Sequence, residues 1–324
     1  MIRRVLAVTF ALLTLGLVST ASASTPTTTA AFTWVNVPGG LARSDCVHSI
    51  PKGANVAANT TIGGDDVTLG GTLVAHYDAC PVAPTIPGTT AHANPTDGQV
   101  PQAAGGWVEG AQRFVSLPSG QDLDFITSVW YVPSDPDSDG GLVFLFNGIE
   151  PSGGAAIIQP VLQWGVSAIG GGNYWAIAPW YVDGGGHFAG PLETVSAADQ
   201  INGYVFAQSQ SGNNISWYNE IVDNTSGAYS WATDSSTGWQ WTQAYVGILE
   251  AYNITECSQF PDEYIAYEFQ DNYLYSSPGF TYNSDGGGFA PVQYAYSGSF
   301  TPSYQGPNCG FGQGYADSTW FFSF

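Results

Sequence analysis

From Trp107 to the end, the chain is a succession of short runs of Val, Ile, Tyr, Phe and Trp, separated by clusters of Gly, Pro, Asp, Asn and Ser. That punctuation constrains the fold most, because an amphipathic helix needs an unbroken apolar stripe at 3.6-residue spacing and no segment here sustains one. The runs are Phe125–Val132, Leu142–Phe146, Ala156–Trp164, Tyr174–Val182, Gly203–Gln208, Ile215–Val222, Trp239–Tyr252, Tyr264–Phe269, Pro291–Phe300 and Thr319–Phe324. Many short strands with turn signals between them predict an all-β fold, an antiparallel sandwich or barrel. The abundant glycine suits the tight turns and bulges of such a fold. Ten of the 11 tryptophans lie in this region and supply large apolar area for a two-sheet core.

The opening is of a different kind. Arg3 and Arg4 precede an apolar run, Val5 to Val18, that ends on the small residues Ala21-Ser22-Ala23. This is the pattern of a signal peptide over residues 1–23, and it predicts a secreted, extracellular protein. Residues 24–105 are rich in Thr, Ala, Pro and Gly, with β-like runs such as Val67 to Val74. They read as an N-terminal segment that is a propeptide, a small disulfide-stapled subdomain or a partly disordered lead-in. Residues 106–324 form the β-sandwich domain. Beyond the signal segment the strong bases are Arg43, Lys52 and Arg113, against 26 acidic residues. Nucleic acid and anionic membranes are therefore poor partners, since both need a basic surface. A chain so acidic is suited to an acidic milieu, where protonation relieves repulsion among its carboxylates, or is simply soluble.

Four cysteines in an exported chain read as two disulfides, and their spacing favours Cys46 with Cys80 and Cys257 with Cys309. His48 and His76 near the first pair offer a weaker zinc reading, with no CxxC to support it. Asn59, Asn214, Asn224 and Asn253 begin N-x-Ser/Thr sequons, which carry glycans only in a eukaryotic host.

Two stretches carry candidate chemistry. In Ala156–Gly165 the residues Ile157, Gln159, Val161 and Gln163 share one strand face, and two amides among aliphatic neighbours need hydrogen-bond partners. In Ala244–Tyr252, strict alternation puts Glu250 on a face with Val246 and Ile248. A carboxyl desolvated there has a raised pKa and suits general acid/base work. Satisfied polar residues at a strand edge would give the same pattern.

These stretches resemble the signature segments of the glutamic peptidases, the eqolisins. That family has a W-V-G-I-D segment, an I-L-Q strand bearing the catalytic glutamine, and a strand of the form E-W-I-V-E. Phe146-Asn147-Gly148-Ile149-Glu150 is similar to the first, Ile157-Ile158-Gln159 to the second and Val246-Gly247-Ile248-Leu249-Glu250 to the third. Gly106-Trp107-Val108-Glu109-Gly110-Ala111 resembles the N-W-A-G-A opening of the family domain, so the likeness spans about residues 106 to 255. It implies a concanavalin- or lectin-like jelly-roll sandwich and an acid-active endopeptidase acting on protein or peptide substrates without a cofactor. Glu250 would be the general base that activates water. Gln159 would stabilise the oxyanion, and Glu150 would be a supporting acid. Phe146, Gln163, Trp164, Trp175 and Trp180 would line the substrate site. The chain departs from the family at Gln163, His187 and Asn253, where further carboxylates are expected, and at Val246 and Gly247. A four-residue shift in alignment would exchange Gln163 for Gln159.

Other constellations are weaker. Asp135, Asp137 and Asp139 before Gly140 have the form of a calcium loop, but Phe146 stands where an EF-hand needs its bidentate Glu. Trp164, Trp175, Trp180, Trp239 and Trp241 offer a sugar-stacking row, the basis of an alternative reading as a non-catalytic binder of glycans or cell-wall polymer. His187 follows three glycines that suggest a loop, and no G-x-S-x-G elbow supports a serine hydrolase.

Overall fold

The computed structural model describes residues 32–81, 105–114, 116–261, 267–277, 304, 306–316 and 319–323. The expected signal peptide and the expected strand Pro291–Phe300 lie outside them. The described strands belong to one compact unit, Phe32–Phe324. In chain order they begin with β1 (Trp34–Val37), β2 (Gly40–Arg43), β3 (Val47–Ser49), β4 (Asn55–Ala58), β5 (Asp65–Leu69) and β6 (Thr72–Tyr77). Then come β7 (Gly105–Phe114), β8 (Asp122–Tyr131), β9 (Leu142–Pro151), β10 (Ile157–Ser167), β11 (Gly170–Val182), β12 (His187–Ala189) and β13 (Glu193–Thr194). The series closes with β14 (Gln200–Ser211), β15 (Asn214–Asp223), β16 (Tyr229–Thr237), β17 (Trp241–Tyr252), β18 (Tyr267–Ser277), β19 (Gly312–Ala316) and β20 (Thr319–Ser323).

Two sheets form a jelly-roll-like sandwich. The first has the order β3-β12-β11-β10-β9-β17-β7, with β13 on β11; the second runs β19-β20-β18-β8-β14-β15-β16-β4-β5-β6. Pairing is antiparallel except where β3 joins β12 and β4 joins β16. Strands from the Thr/Pro-rich lead-in thus extend both sheets, and the disulfide Cys46–Cys80 (Cα–Cα 5.6 Å) ties them together. Cys257–Cys309 is the second bridge, at 5.4 Å. With Cys46 and Cys80 bonded to each other, the zinc reading has lost its thiolates. His76 instead lies 2.7 Å from Asp66, and His48 stacks on Tyr77. His187 is in a buried strand rather than a loop, because β12 closes on β11 and accepts β3 on its other edge.

The first sheet is buried on both faces, so its central strands read as continuous apolar runs and not as alternating ones. One face meets the second sheet. There Val143, Leu145, Ile158, Leu162 and Ile177 pack with Ile126, Trp130, Ile201, Val205 and Trp217. The opposite, outer face carries a separate apolar cluster that includes Trp107, Phe144, Phe146, Val161, Trp180, Tyr245, Ile248 and Tyr252. Val37 and Ala42 of the β1–β2 hairpin belong to that outer cluster.

Candidate active site

The outer face of the first sheet gathers most of the polar residues that the sequence singles out. Ile157, Gln159, Val161 and Gln163 do share this face, and all are essentially inaccessible to solvent. On β17 the alternation expected from the sequence breaks. The pairing with β9 slips between Tyr245 and Ile248, and Gly247 takes φ +60°. This bulge turns Val246 into the inter-sheet core and leaves Tyr245, Ile248, Glu250 and Tyr252 on the outer face. Glu250 and Ile248 share a face as expected, but Val246 does not.

Register sets the distances. Gln159 is opposite Trp180 on β11 and, counting between the neighbouring pairs, opposite Gly148 on β9. Gly148 is in turn opposite Tyr245. A Cβ on Gly148 would come within 2.9 Å of the Ile158 carbonyl and 3.4 Å of the Gln159 Cβ, so only glycine fits between the strands here. Glu250 lies four residues further along, in the row formed with Phe144 and Gln163. With strands about 4.8 Å apart and about 3.3 Å per residue, the Cα atoms of Gln159 and Glu250 are roughly 16 Å apart. By register, Gln159 lies on the diagonal from Glu150 one strand away and opposite Tyr245 two strands away, and Gln163 falls likewise two strands from Glu250 in its row.

Each carboxyl has its own phenol. Tyr245 donates its hydroxyl proton to Glu150 Oε2 at 2.8 Å, with Gln243 Oε1 at 3.0 Å as a second acceptor. Glu150 Oε1 has no partner. Burial pushes the Glu150 carboxyl up to about 8, against the opposing pull of the Tyr245 bond. Tyr252 donates its hydroxyl proton to Glu250 Oε1. Glu250 also accepts a backbone N–H from Gly39, 2.9 Å from Oε2 and 3.1 Å from Oε1. Burial again dominates and lifts Glu250 to about 8.

The two amides differ. Gln163 donates to the carbonyls of Gly165 and Gly170, both at 2.9 Å, and so braces the β10–β11 turn. Gln159 has neither amide atom in a hydrogen bond, although the residue is completely buried. An unpaired buried amide costs about 1–3 kcal/mol, which marks the position for explanation.

The aromatic candidates divide. Phe146 and Trp180 line the outer face, whereas Trp164 and Trp175 pack on each other in the inter-sheet core with ring centroids 5.4 Å apart. Those two therefore do not line the site. Nor do the tryptophans form a solvent-facing row, since Trp164, Trp175, Trp180 and Trp241 are at most 3% exposed. Asp135, Asp137 and Asp139 are exposed, and among the described residues no three His, Cys, Asp or Glu side chains form a metal-holding group. Gly39, Tyr245 and Tyr252 were not anticipated. Tyr245 becomes legible only once the bulge is known, Tyr252 follows from its two-residue spacing to Glu250, and Gly39 is 211 residues from its partner.

No family model matches this chain, and no curated protein does. Among solved structures, scytalido-glutamic peptidase with a transition-state analog inhibitor is similar over 68% of this chain and 99% of its own, at 17% identity and a TM-score of 0.43. SCP-B, a member of the eqolisin family in complex with the tripeptide Ala-Ile-His, matches over the same shares at 19% identity and a TM-score of 0.42. The CBM2 module of an evolved Dit protein from Lactobacillus casei BL23 phage J-1 matches over 45% of this chain and 70% of its own, at 11% identity and a TM-score of 0.26. Among the described residues no helix is long and apolar enough to cross a membrane.

Proposed function

We propose that this chain is a secreted peptidase of the glutamic type, working at acid pH on protein or peptide substrates through the outer face of the first sheet. The observation that carries this reading is the completely buried, unpaired amide of Gln159, set across Gly148 from Tyr245 and diagonal to Glu150. The ordered sequence motifs between residues 106 and 255 support it independently.

In this reading a water enters beside the Gln159 amide with the substrate. Opening of the outer face to admit substrate hydrates Glu150 and returns its carboxyl towards the ordinary carboxylate range. Ionised and held by the Tyr245 hydroxyl, it takes the water's proton as oxygen attacks the scissile carbonyl carbon. The Gln159 amide N–H donates to the developing oxyanion. Collapse of the tetrahedral intermediate breaks the C–N bond, and the proton held by Glu150 passes to the leaving amine. The sequence resemblance assigns the base role to Glu250. The separation of roughly 16 Å from Gln159 is too long for one shared water, which favours Glu150 as base and leaves Glu250 to accept a backbone N–H of the bound peptide, as it does from Gly39.

Digestion of a denatured protein by the wild type, Glu150→Gln, Glu250→Gln and Gln159→Met separates these roles. Loss of hydrolysis in Glu150→Gln and Gln159→Met, with weaker loss in Glu250→Gln, supports the assignment. Full activity in Glu150→Gln together with none in Glu250→Gln returns the base role to Glu250.

A further inference from the structure

The β1–β2 hairpin is placed as a ligand would be. Among the described residues its two strands pair only with each other, from Trp34↔Arg43 to Val37↔Gly40. Pro38 and Gly39 make the turn, with Gly39 at φ +99°, the Pro-Gly pattern of a type II turn. Hairpin tips normally face solvent, because their backbone groups need water. Here the order is reversed: Val37, Pro38, Gly39 and Gly40 are buried, while the base of the hairpin at Phe32 and Thr33 is exposed. The buried Gly39 N–H finds its acceptor in Glu250, and Val37 joins the apolar cluster of the outer face.

We infer that the outer face over Glu250 is a binding site for peptide backbone, and that the chain's own hairpin is its removable occupant. This rests on the reading of the outer face as the active face, and it adds how that face is kept shut. A peptide N–H satisfies both carboxylate oxygens of Glu250, so no substrate N–H can reach them while the tip is in place. The site of removal follows from the covalent tethers. Cys46 is bonded to Cys80, and β3 and β4 are built into the two sheets, so everything from Cys46 onward stays with the body. Ser44 and Asp45, between hairpin and staple, are exposed. A cut after Arg43 detaches the hairpin and leaves both sheets and both disulfides intact. The part that can be shed is thus the stretch up to Arg43, and not the whole lead-in to residue 105.

The experiment uses the full, disulfide-intact chain carrying Lys52→Gln and Arg113→Gln, which leaves Arg43 as the only trypsin site beyond the signal segment. Limited trypsin treatment followed by non-reducing mass spectrometry verifies the cut. A synthetic peptide of residues 33–44 is then titrated into the cut and cleared protein by calorimetry, and hydrolysis of a denatured protein is followed in parallel. The expected result is one peptide bound per chain and a rise in hydrolysis of about tenfold or more on removal, as for a plug seated at least nine-tenths of the time. Adding the peptide back should suppress the rise. In the uncut chain, Gly39→Pro deletes the N–H donor and should raise hydrolysis in the same direction. Peptide binding with no hydrolysis in any form upholds the plug and sinks the peptidase reading. Failure of the peptide to bind, or equal hydrolysis before and after the cut, overturns the plug.

Discussion

The backbone N–H of Gly39 is hydrogen-bonded to both carboxylate oxygens of Glu250, a residue 211 positions later in the chain. This contact explains why a lone carboxyl is tolerated beneath an apolar cluster: its oxygens are satisfied by Gly39 and the Tyr252 hydroxyl. It also gives a first prediction. Burial raises the Glu250 pKa to about 8 from an ordinary 4.5, so the folded state holds this proton where the unfolded state releases it. Stability from the group is full below about pH 4.5 and is lost as pH rises towards 8. Glu250→Gln cannot ionise, so its melting temperature should gain on the wild type steadily between those limits. A constant difference across that range would contradict the burial of the group.

The same sign holds for the molecule. Asp65 is raised to about 7 and Asp124 to about 6, and burial lifts Asp183 and Asp234 as well. Asp65 and Asp183 line a cavity of about 220 Å³, and Asp234 has neither oxygen paired. Neither Arg43 nor Lys52 is available to neutralise them, since these pair with Asp45 and Glu193. His48 and His187, lowered by burial to about 4 and about 3, act in the opposite sense and lose stability as pH falls below 6.5. The buried carboxyls outnumber them. Calorimetry should therefore show the melting temperature falling from about pH 5 to pH 8. Asp234→Asn should flatten that fall. A melting temperature that climbs over this interval would refute the account of the buried acids.

Gln159 should behave as a residue kept for chemistry at a cost in stability. Gln159→Met keeps the length of the side chain and removes two unpaired polar atoms from a buried site. It should stabilise the fold by about 1–3 kcal/mol in urea denaturation. Destabilisation of similar size would mean that the amide has a structural partner.

The Cys46–Cys80 bridge closes a loop of sequence separation 34 and anchors strands that extend both sheets. Replacing both cysteines by alanine should cost about 3–4 kcal/mol, most of it through the unfolded chain. Equilibrium unfolding of the double variant measures this directly. A loss under about 1 kcal/mol would show that pairing with β12 and β16 alone secures the segment.

Much of this architecture was legible before any coordinates, for identifiable reasons. The turn-separated runs implied an all-β sandwich or barrel, because period and punctuation are local properties. The face shared by Gln159 and Gln163 followed from the two-residue repeat of a regular strand. The same repeat failed on β17, where the bulge at Val246 and Gly247 exchanges faces and brings up Tyr245 in place of Val246. Trp164 and Trp175 were misplaced for a related reason. Both faces of the first sheet are apolar, so hydrophobicity does not distinguish the side that meets the second sheet from the side that carries Glu150 and Glu250. The contact of Gly39 with Glu250 is non-local, and no pattern within either segment announces it.

The central claim is that Glu150 and Gln159 on the outer face activate water against a peptide bond. The most direct test is hydrolysis of a denatured protein from about pH 3 to 7 by the chain cut after Arg43, in the presence of pepstatin, beside the same form of Glu150→Gln. The account predicts pepstatin-resistant cleavage on the acid side that is lost in Glu150→Gln, whose fold stays intact by calorimetry. Cleavage undiminished in Glu150→Gln, or no cleavage by the opened wild type at any pH, would contradict it.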